Sequence, residues 1–354
     1  MHLAISNHGL RNSGGIERYA LTLVRGLHER GIRPVFAAKA FDTALPEYGW
    51  VDPVRVGTAL VPGKLRDFWF DWRLRALKRR AGWAPLIACN QTGAADIAIC
   101  GSNHPAYLEA MGQRAGPIDR WKIALERAHL AAAQTVVAHS ARVRDEAVRH
   151  HGIAPAKFVL LYPPVDGMRF SPVDAAARNL LRAELGLPAD RAVFLLASTG
   201  HKRKGLELLS EFFAGTELPA TLVVAGRPMP GAVRNVRHLG YRNDIENVYR
   251  AVDFTVMASS YEPFGLVGVE SVLSGTPVLL AERAGCAEVI RAPAQMPFSL
   301  DQPASLGATV SAAVTRWRAG RHRLEHPHEL LAYDPCVATH VDALLALAQA
   351  CVHG

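Results

Sequence analysis

Long apolar runs are missing. No stretch of about 18 consecutive apolar residues occurs, so no segment reads as a membrane-spanning helix. Cysteine is scarce: Cys89, Cys100, Cys286, Cys336 and Cys351 are odd in number, scattered, and nowhere spaced as Cys-x-x-Cys. That excludes a disulfide framework and a cysteine-built metal site, and points to reduced thiols in a cytoplasmic protein. The opening residues, Met1-His2-Leu3-Ala4-Ile5, lack a basic lead and a small-residue cleavage site, so no secretory leader is expected. Short-period repeats and low-complexity segments are also lacking, which leaves no sign of a solenoid or a disordered tail.

What is present is a chain of 354 residues, long enough for two ordinary domains, with 49% hydrophobic residues to fill their cores. The formal net charge is +8 and the isoelectric point about 9.4. This balance favours anionic partners such as nucleotide phosphates, phospholipid surfaces or phosphorylated glycans, and does not decide the fold.

Short apolar runs alternate with helical periodicity along the chain. Strands are expected at residues 3–6, 34–38, 95–100, 135–140, 193–197, 220–226, 252–257 and 276–281, with helices between them. Pro163 and Pro164 stiffen a linker over residues 160–166. The pattern predicts an α/β chain of two doubly wound, Rossmann-like domains facing a cleft. The first covers residues 1–165, with a helix of about 336–354 packing back on it. The second covers residues 166–335.

The turns carry the polar residues that matter. Gly14-Gly15 precedes a helix over residues 16–30 and leaves backbone N–H groups free. His104 follows a strand, where it serves either as a loop histidine or as a ligand contact. Gly200 opens a turn in which Lys202, Arg203 and Lys204 precede a helix; that suits a diphosphate, or is a solvated basic turn. Between the strand at 252–257 and the next, Pro263 and Gly265 break the chain. A helix starting near Gly265 points its first N–H groups and its positive dipole end at the loop, a place for an anion. Glu262 stands just outside that helix and Glu270 about one and a half turns inside it. The backbone before Pro263 is biased to extended geometry, which puts the Glu262 carboxylate at the loop mouth, with little stake in stability.

The stretch from Lys64 to Arg80 mixes aromatic residues with seven basic ones. Apolar positions 65, 68, 69, 72, 76 and 77 fit one helical face. That is either a core-packing helix with a solvated basic side or an interfacial helix against anionic lipid. Nucleic-acid binding is disfavoured, because no nucleic-acid module surrounds the stretch.

Glu262-Pro263-Phe264-Gly265-Leu266 with Glu270, then Ser274-Gly275-Thr276-Pro277-Val278, resembles the E-x7-E signature of the family 4 retaining glycosyltransferases. Gly14-Gly15-Ile16-Glu17-Arg18, Arg169-Phe170-Ser171-Pro172 and Gly285-Cys286-Ala287-Glu288 look like the same family. The resemblance spans the chain and is strongest from 193 to 290. It implies the GT-B fold and transfer of a sugar from a nucleotide-diphosphate sugar, UDP-sugar favoured. The receiving group would be a hydroxyl of a glycan or glycolipid, such as lipopolysaccharide core or surface polysaccharide. It implies catalysis without a metal, and no Asp-x-Asp occurs.

By the same resemblance, Arg203 and Lys204 carry the diphosphate together with N–H groups around Gly14, Gly15, Gly200, Phe264, Gly265 and Leu266. Glu262 bonds the donor sugar, Glu270 holds the ribose diol, Tyr241 and Arg242 lie beside the base, and His104 contacts the sugar or its phosphates. The family often has an arginine near the place of Ser198, a departure that bears on Arg203. Two alternatives stay open: a nucleotide-sugar epimerase or sugar-phosphate synthase on the same fold, and a non-catalytic nucleotide- or membrane-binding module. The expected location is the cytoplasm, with peripheral contact at the inner face of the cytoplasmic membrane.

Overall fold

A computed structural model describes residues 2–353, without the side chains of Lys64, Pro303 and His353; Met1 and Gly354, the ends of two expected segments, lie outside the described residues. The chain divides into two compact units, Met1–Pro164 with Pro335–Gly354, and Val165–Asp334.

The first unit holds a seven-stranded sheet. Its order is Asp52–Arg55, Val35–Ala38, Ala4–Ser6, Leu86–Ala88, Ile97–Cys100, Thr135–Ala138, Phe158–Leu160. Every pairing is parallel. Sheets of this kind are covered on both faces, which is why the inner strands read as unbroken apolar runs. Ile5 and Ile87 pack with Leu23 and Leu27 of the helix Gly15–His28 and with Val341 and Leu344 of the helix Val337–His353. Gly26 allows those two helices to touch: a Cβ there would lie 2.7 Å from a Val341 methyl. Tyr19 and His340 add a hydrogen bond of 2.8 Å between the same helices.

The second unit holds six parallel strands in the order Val236–Gly240, Ala220–Gly226, Ala192–Ser198, Phe254–Met257, Val278–Ala281, Gln295–Phe298. Phe194, Phe213, Phe254, Leu209 and Val310 form its core. The chain builds outward from Ala192–Ser198 in one direction, then returns to lay Phe254–Met257 on the other side. The switch point of the sheet therefore lies between these two strands, and crevices that accept ligands form at its carboxyl end.

Several elements were not visible in the sequence. Asp52–Arg55, Leu86–Ala88, Val236–Gly240, Gln295–Phe298 and the helix Ala175–Glu184 join the expected ones. Leu160, placed in the linker, ends the edge strand Phe158–Leu160. Length is not the reason, since expected strands such as Ala4–Ser6 and Ile97–Cys100 are as short; Asp52–Arg55, Val236–Gly240 and Gln295–Phe298 carry polar residues or proline within the run and so lose the apolar signal. The helix Arg66–Ala81 shows the largest difference. Its buried residues are Phe70, Asp71 and Leu74, and of the expected apolar face Leu77 packs against their core. Phe68, Trp69 and Trp72 stay exposed instead.

Candidate functional site

At the switch point of the second unit, two turns are pressed together. The strand Ala192–Ser198 leads through Gly200 into the single helical turn His201–Lys204 and then Gly205. Gly205 adopts φ 74°, and a Cβ there would lie 2.4 Å from the carbonyl oxygen of Ala258. Only glycine lets this turn lie against the end of Phe254–Met257. The Ser260 N–H donates to the Arg203 carbonyl at 2.9 Å and closes the junction.

Glu262 is the meeting point. Lys204 Nζ donates to Glu262 Oε2 at 2.5 Å, Ser259 Oγ donates to the same oxygen at 2.9 Å, and Arg203 Nη1 reaches it at 3.2 Å. Arg203 also donates to the Tyr261 carbonyl at 2.8 Å. Glu262 Oε1 accepts no hydrogen bond among the described residues. Glu262 is 8% exposed and Lys204 9%, so the carboxylate is not at an open loop mouth as the pre-proline geometry predicts. Burial by itself would raise the Glu262 pKa. The charges of Lys204 and Arg203 and the bonds from Lys204 and Ser259 outweigh it and hold the carboxyl below its ordinary value. Two cations against one anion leave a net positive charge beside the start of the helix Leu266–Leu273, where the dipole adds to it.

The loop between Glu262 and that helix is held from outside. Gly285 N–H donates to the Glu262 carbonyl at 3.0 Å and Cys286 N–H to that of Phe264 at 2.6 Å. Gly265, at φ 96°, caps the helix. Phe264 is buried and meets Tyr333 edge-on at 6.2 Å. Inside the helix, Glu270 is buried and accepts from the Tyr249 hydroxyl at 3.1 Å. Tyr241 lies just past Val236–Gly240, 70% exposed, and Arg242 pairs with Asp244 at 2.6 Å. All these residues stand at one edge of one sheet, because its strands are parallel.

Two interactions escaped the sequence. Ser259 sits three residues before Glu262, a spacing common for local side-chain bonds, and orients the carboxylate. His201 Nε2 donates to the Pro228 carbonyl at 3.0 Å, which leaves Nδ1 to accept from Ser198 Oγ at 2.8 Å. Ser198 thus braces the turn that presents Arg203.

Gly14, Gly15 and His104 belong to the first unit. Gly14 precedes the helix Gly15–His28 without a side-chain cap, and a Cβ there would come 2.9 Å from Glu17 Oε2. At Gly15 a Cβ would meet nothing within 4 Å. His104 is the first residue of the helix His104–Ala110, whose N-cap is Asn103. Its Nε2 lies 2.9 Å from Asp119 Oδ1, and its backbone N–H donates to Glu126 at 3.0 Å. The imidazole bond and the Gly116 amide hold the Asp119 carboxyl below its usual range. No group of three or more His, Cys, Asp or Glu side chains that could hold a metal occurs among the described residues.

Comparison with known proteins agrees with this arrangement. Residues 13–169 match the profile of Glycosyltransferase Family 4, and residues 177–295 that of Glycosyl transferases group 1. A probable transglycosylase of Burkholderia thailandensis is 46% identical over 351 residues, 98% of this chain and 97% of the relative. A D-inositol 3-phosphate glycosyltransferase of Xylanimonas cellulosilytica is 27% identical over 327 residues, 80% of this chain and 78% of the relative. Among solved structures, WaaG, a glycosyltransferase involved in lipopolysaccharide biosynthesis, superposes with a TM-score of 0.78 at 17% identity, covering 98% of both chains. Anabaena HepE in complex with UDP and glucose gives 0.76 at 16% identity, covering 98% of this chain and 99% of its own. The fold is GT-B. The chain belongs to glycosyltransferase family 4.

Proposed function

We propose that the protein is a retaining transferase that moves a sugar from a UDP-sugar to a hydroxyl of a glycan or glycolipid, such as lipopolysaccharide core or surface polysaccharide. The observation that carries the reading is the convergence of Lys204, Arg203 and Ser259 on one oxygen of Glu262 at the sheet's switch point. Lys204 and Arg203 supply the positive charge that a departing diphosphate requires, without a metal. The remaining oxygen of Glu262 is an acceptor for donor-sugar hydroxyls. A carboxylate beside phosphates is unfavourable unless a polyhydroxylated group lies between them, and a donor sugar is such a group. Glu270 holds the ribose diol, its carboxylate steadied by Tyr249. Gly14, Gly15, Gly200, Tyr241, Arg242, Phe264, Gly265 and Leu266 complete the donor contacts, and His104 reaches the sugar. The UDP and glucose held by HepE support the choice of donor, and the role of WaaG supports the choice of acceptor.

The protein works in the cytoplasm, with the exposed aromatic side of Arg66–Ala81 against the anionic inner face of the membrane. No described helix is long and apolar enough to cross one.

The test is a thermal-shift screen of UDP-, GDP- and ADP-sugars followed by product analysis. A ligand at about 100 times its Kd adds about 2.7 kcal/mol. The expected result is a shift with a UDP-sugar and a product of unchanged anomeric configuration. A shift without any product leaves a non-catalytic nucleotide-binding module as the better account, and no shift with any nucleotide sugar leaves a membrane-binding one. Conversion of the donor without an acceptor favours an epimerase.

A further inference from the structure

His104 is gripped twice by one helix. Asp119 and Glu126 lie seven residues apart on Pro117–Ala132, two turns along one face. Glu126 takes the His104 backbone N–H at 3.0 Å, and it is itself fixed by His151 Nε2 at 2.9 Å and Gln91 Nε2 at 3.3 Å. Asp119 divides its oxygens: Oδ2 accepts the Gly116 N–H at 3.1 Å, and Oδ1 faces His104 Nε2 at 2.9 Å. The ring packs over Tyr107 at 6.2 Å. A loop histidine with no task needs none of this. A backbone anchor and a carboxylate on one ring nitrogen are what fixes an imidazole in orientation and tautomer.

We propose that Asp119 is a positioning residue that keeps the proton of His104 on Nε2, so that Nδ1 is presented as an acceptor for a substrate hydroxyl. An ionised carboxylate only accepts, so a neutral imidazole facing it must carry its hydrogen on Nε2. Nδ1 then holds a lone pair, and it has no partner among the described residues. The group that fits it is a neutral donor: a sugar hydroxyl, not a phosphate oxygen. The hydroxyl as ligand rests on the sugar-transfer reading; the tautomer does not.

Asp119→Asn keeps the size of the side chain and one acceptor for the Gly116 amide, but it can turn an N–H₂ towards the ring. Long-range ¹H–¹⁵N spectra of the imidazoles, with the His104 signal identified by its loss in His104→Gln, read the tautomer directly. The expected result is a single Nε2–H form in the unaltered protein and its loss in Asp119→Asn. With it, kcat for transfer falls at least about 10-fold, while UDP affinity stays within two-fold and Tm is unchanged. A Nδ1–H form in the unaltered protein overturns the proposal. So does an Asp119→Asn variant with unaltered tautomer and kcat. If the unaltered protein transfers no sugar from any donor, the functional reading fails, and the spectrum still decides the role of Asp119.

Discussion

Glu262 gathers three donors on one oxygen, and its neighbours depend on it in return. Removing one partner of a buried ion pair leaves the other charge unpaired in a poor solvent, at a cost of about 3–5 kcal/mol. Glu262→Gln is expected to lower stability by about 3 kcal/mol and kcat/KM for transfer by at least about 100-fold, with UDP affinity within a few-fold. Adding Lys204→Met removes the orphaned cation and regains most of the stability without the activity. Denaturant melts and transfer kinetics of the single and double variants check both halves; full activity in Glu262→Gln removes the carboxylate from the mechanism. The sign with pH follows from the lowered carboxyl. Its contribution is complete above the unfolded value of 4.5 and is lost as pH falls through the lower folded value. These residues were half legible in the sequence. Glu262, Lys204 and Arg203 were marked by their turns and by the family resemblance. Their ion pair was not, since nothing local ties residues 58 apart.

The helix Arg66–Ala81 behaves in the same way. Its composition was legible and its orientation was not, because two apolar stripes compete and only tertiary packing chooses between them. The stripe of Phe70 and Leu74 went to the core. Leu77 of the other joined it, while Phe68, Trp69 and Trp72 stayed out, and Phe68 meets Trp121 of the helix Pro117–Ala132 edge-on at 5.3 Å. Trp72 is 57% exposed and Trp121 52%. Arg73 and Arg79 flank them exposed, whereas Arg75 is paired with Asp71 and Lys78 with Asp96. Amphipathic indoles on a helix with exposed guanidinium groups, that of Arg73 lying over the Trp72 ring at 6.0 Å, suit a headgroup layer. Trp72→Ser with Trp121→Ser is therefore expected to abolish sedimentation with vesicles rich in phosphatidylglycerol. Arg73→Ser with Arg79→Ser weakens it, and salt at about 1 M reverses what remains. Neither pair should change Tm, since neither is in the core. Equal binding to neutral vesicles, or none by the unaltered protein, removes the membrane from the account.

For the whole molecule, the alternation of strand and helix was enough to predict two parallel sheets, and the chain divides just after the paired prolines. Most of the missed strands were lost because polar residues or proline interrupt them, so no apolar run marks them. The division of residues between units predicts how ligands act on each. UDP alone is expected to slow hydrogen exchange in peptides spanning 198–205, 240–245 and 258–270. A UDP-sugar adds protection at 101–107, where His104 lies. Exchange mapped by mass spectrometry decides this, and protection by UDP confined to residues 1–164 would reverse the assignment of the nucleotide to the second unit.

The return of residues 335–354 to the first unit has a consequence for how the protein is made. The groove beside Gly26 and Tyr19 is filled by Val341 and His340, yet residues 165–334 must be synthesised before that helix exists. At 5–20 residues per second this takes roughly 10–30 s. Throughout that interval the growing chain carries a nearly finished seven-stranded sheet with one strip of apolar helix uncovered. A chaperone that binds such strips has its window there, and a truncation before Val337 makes the exposure permanent.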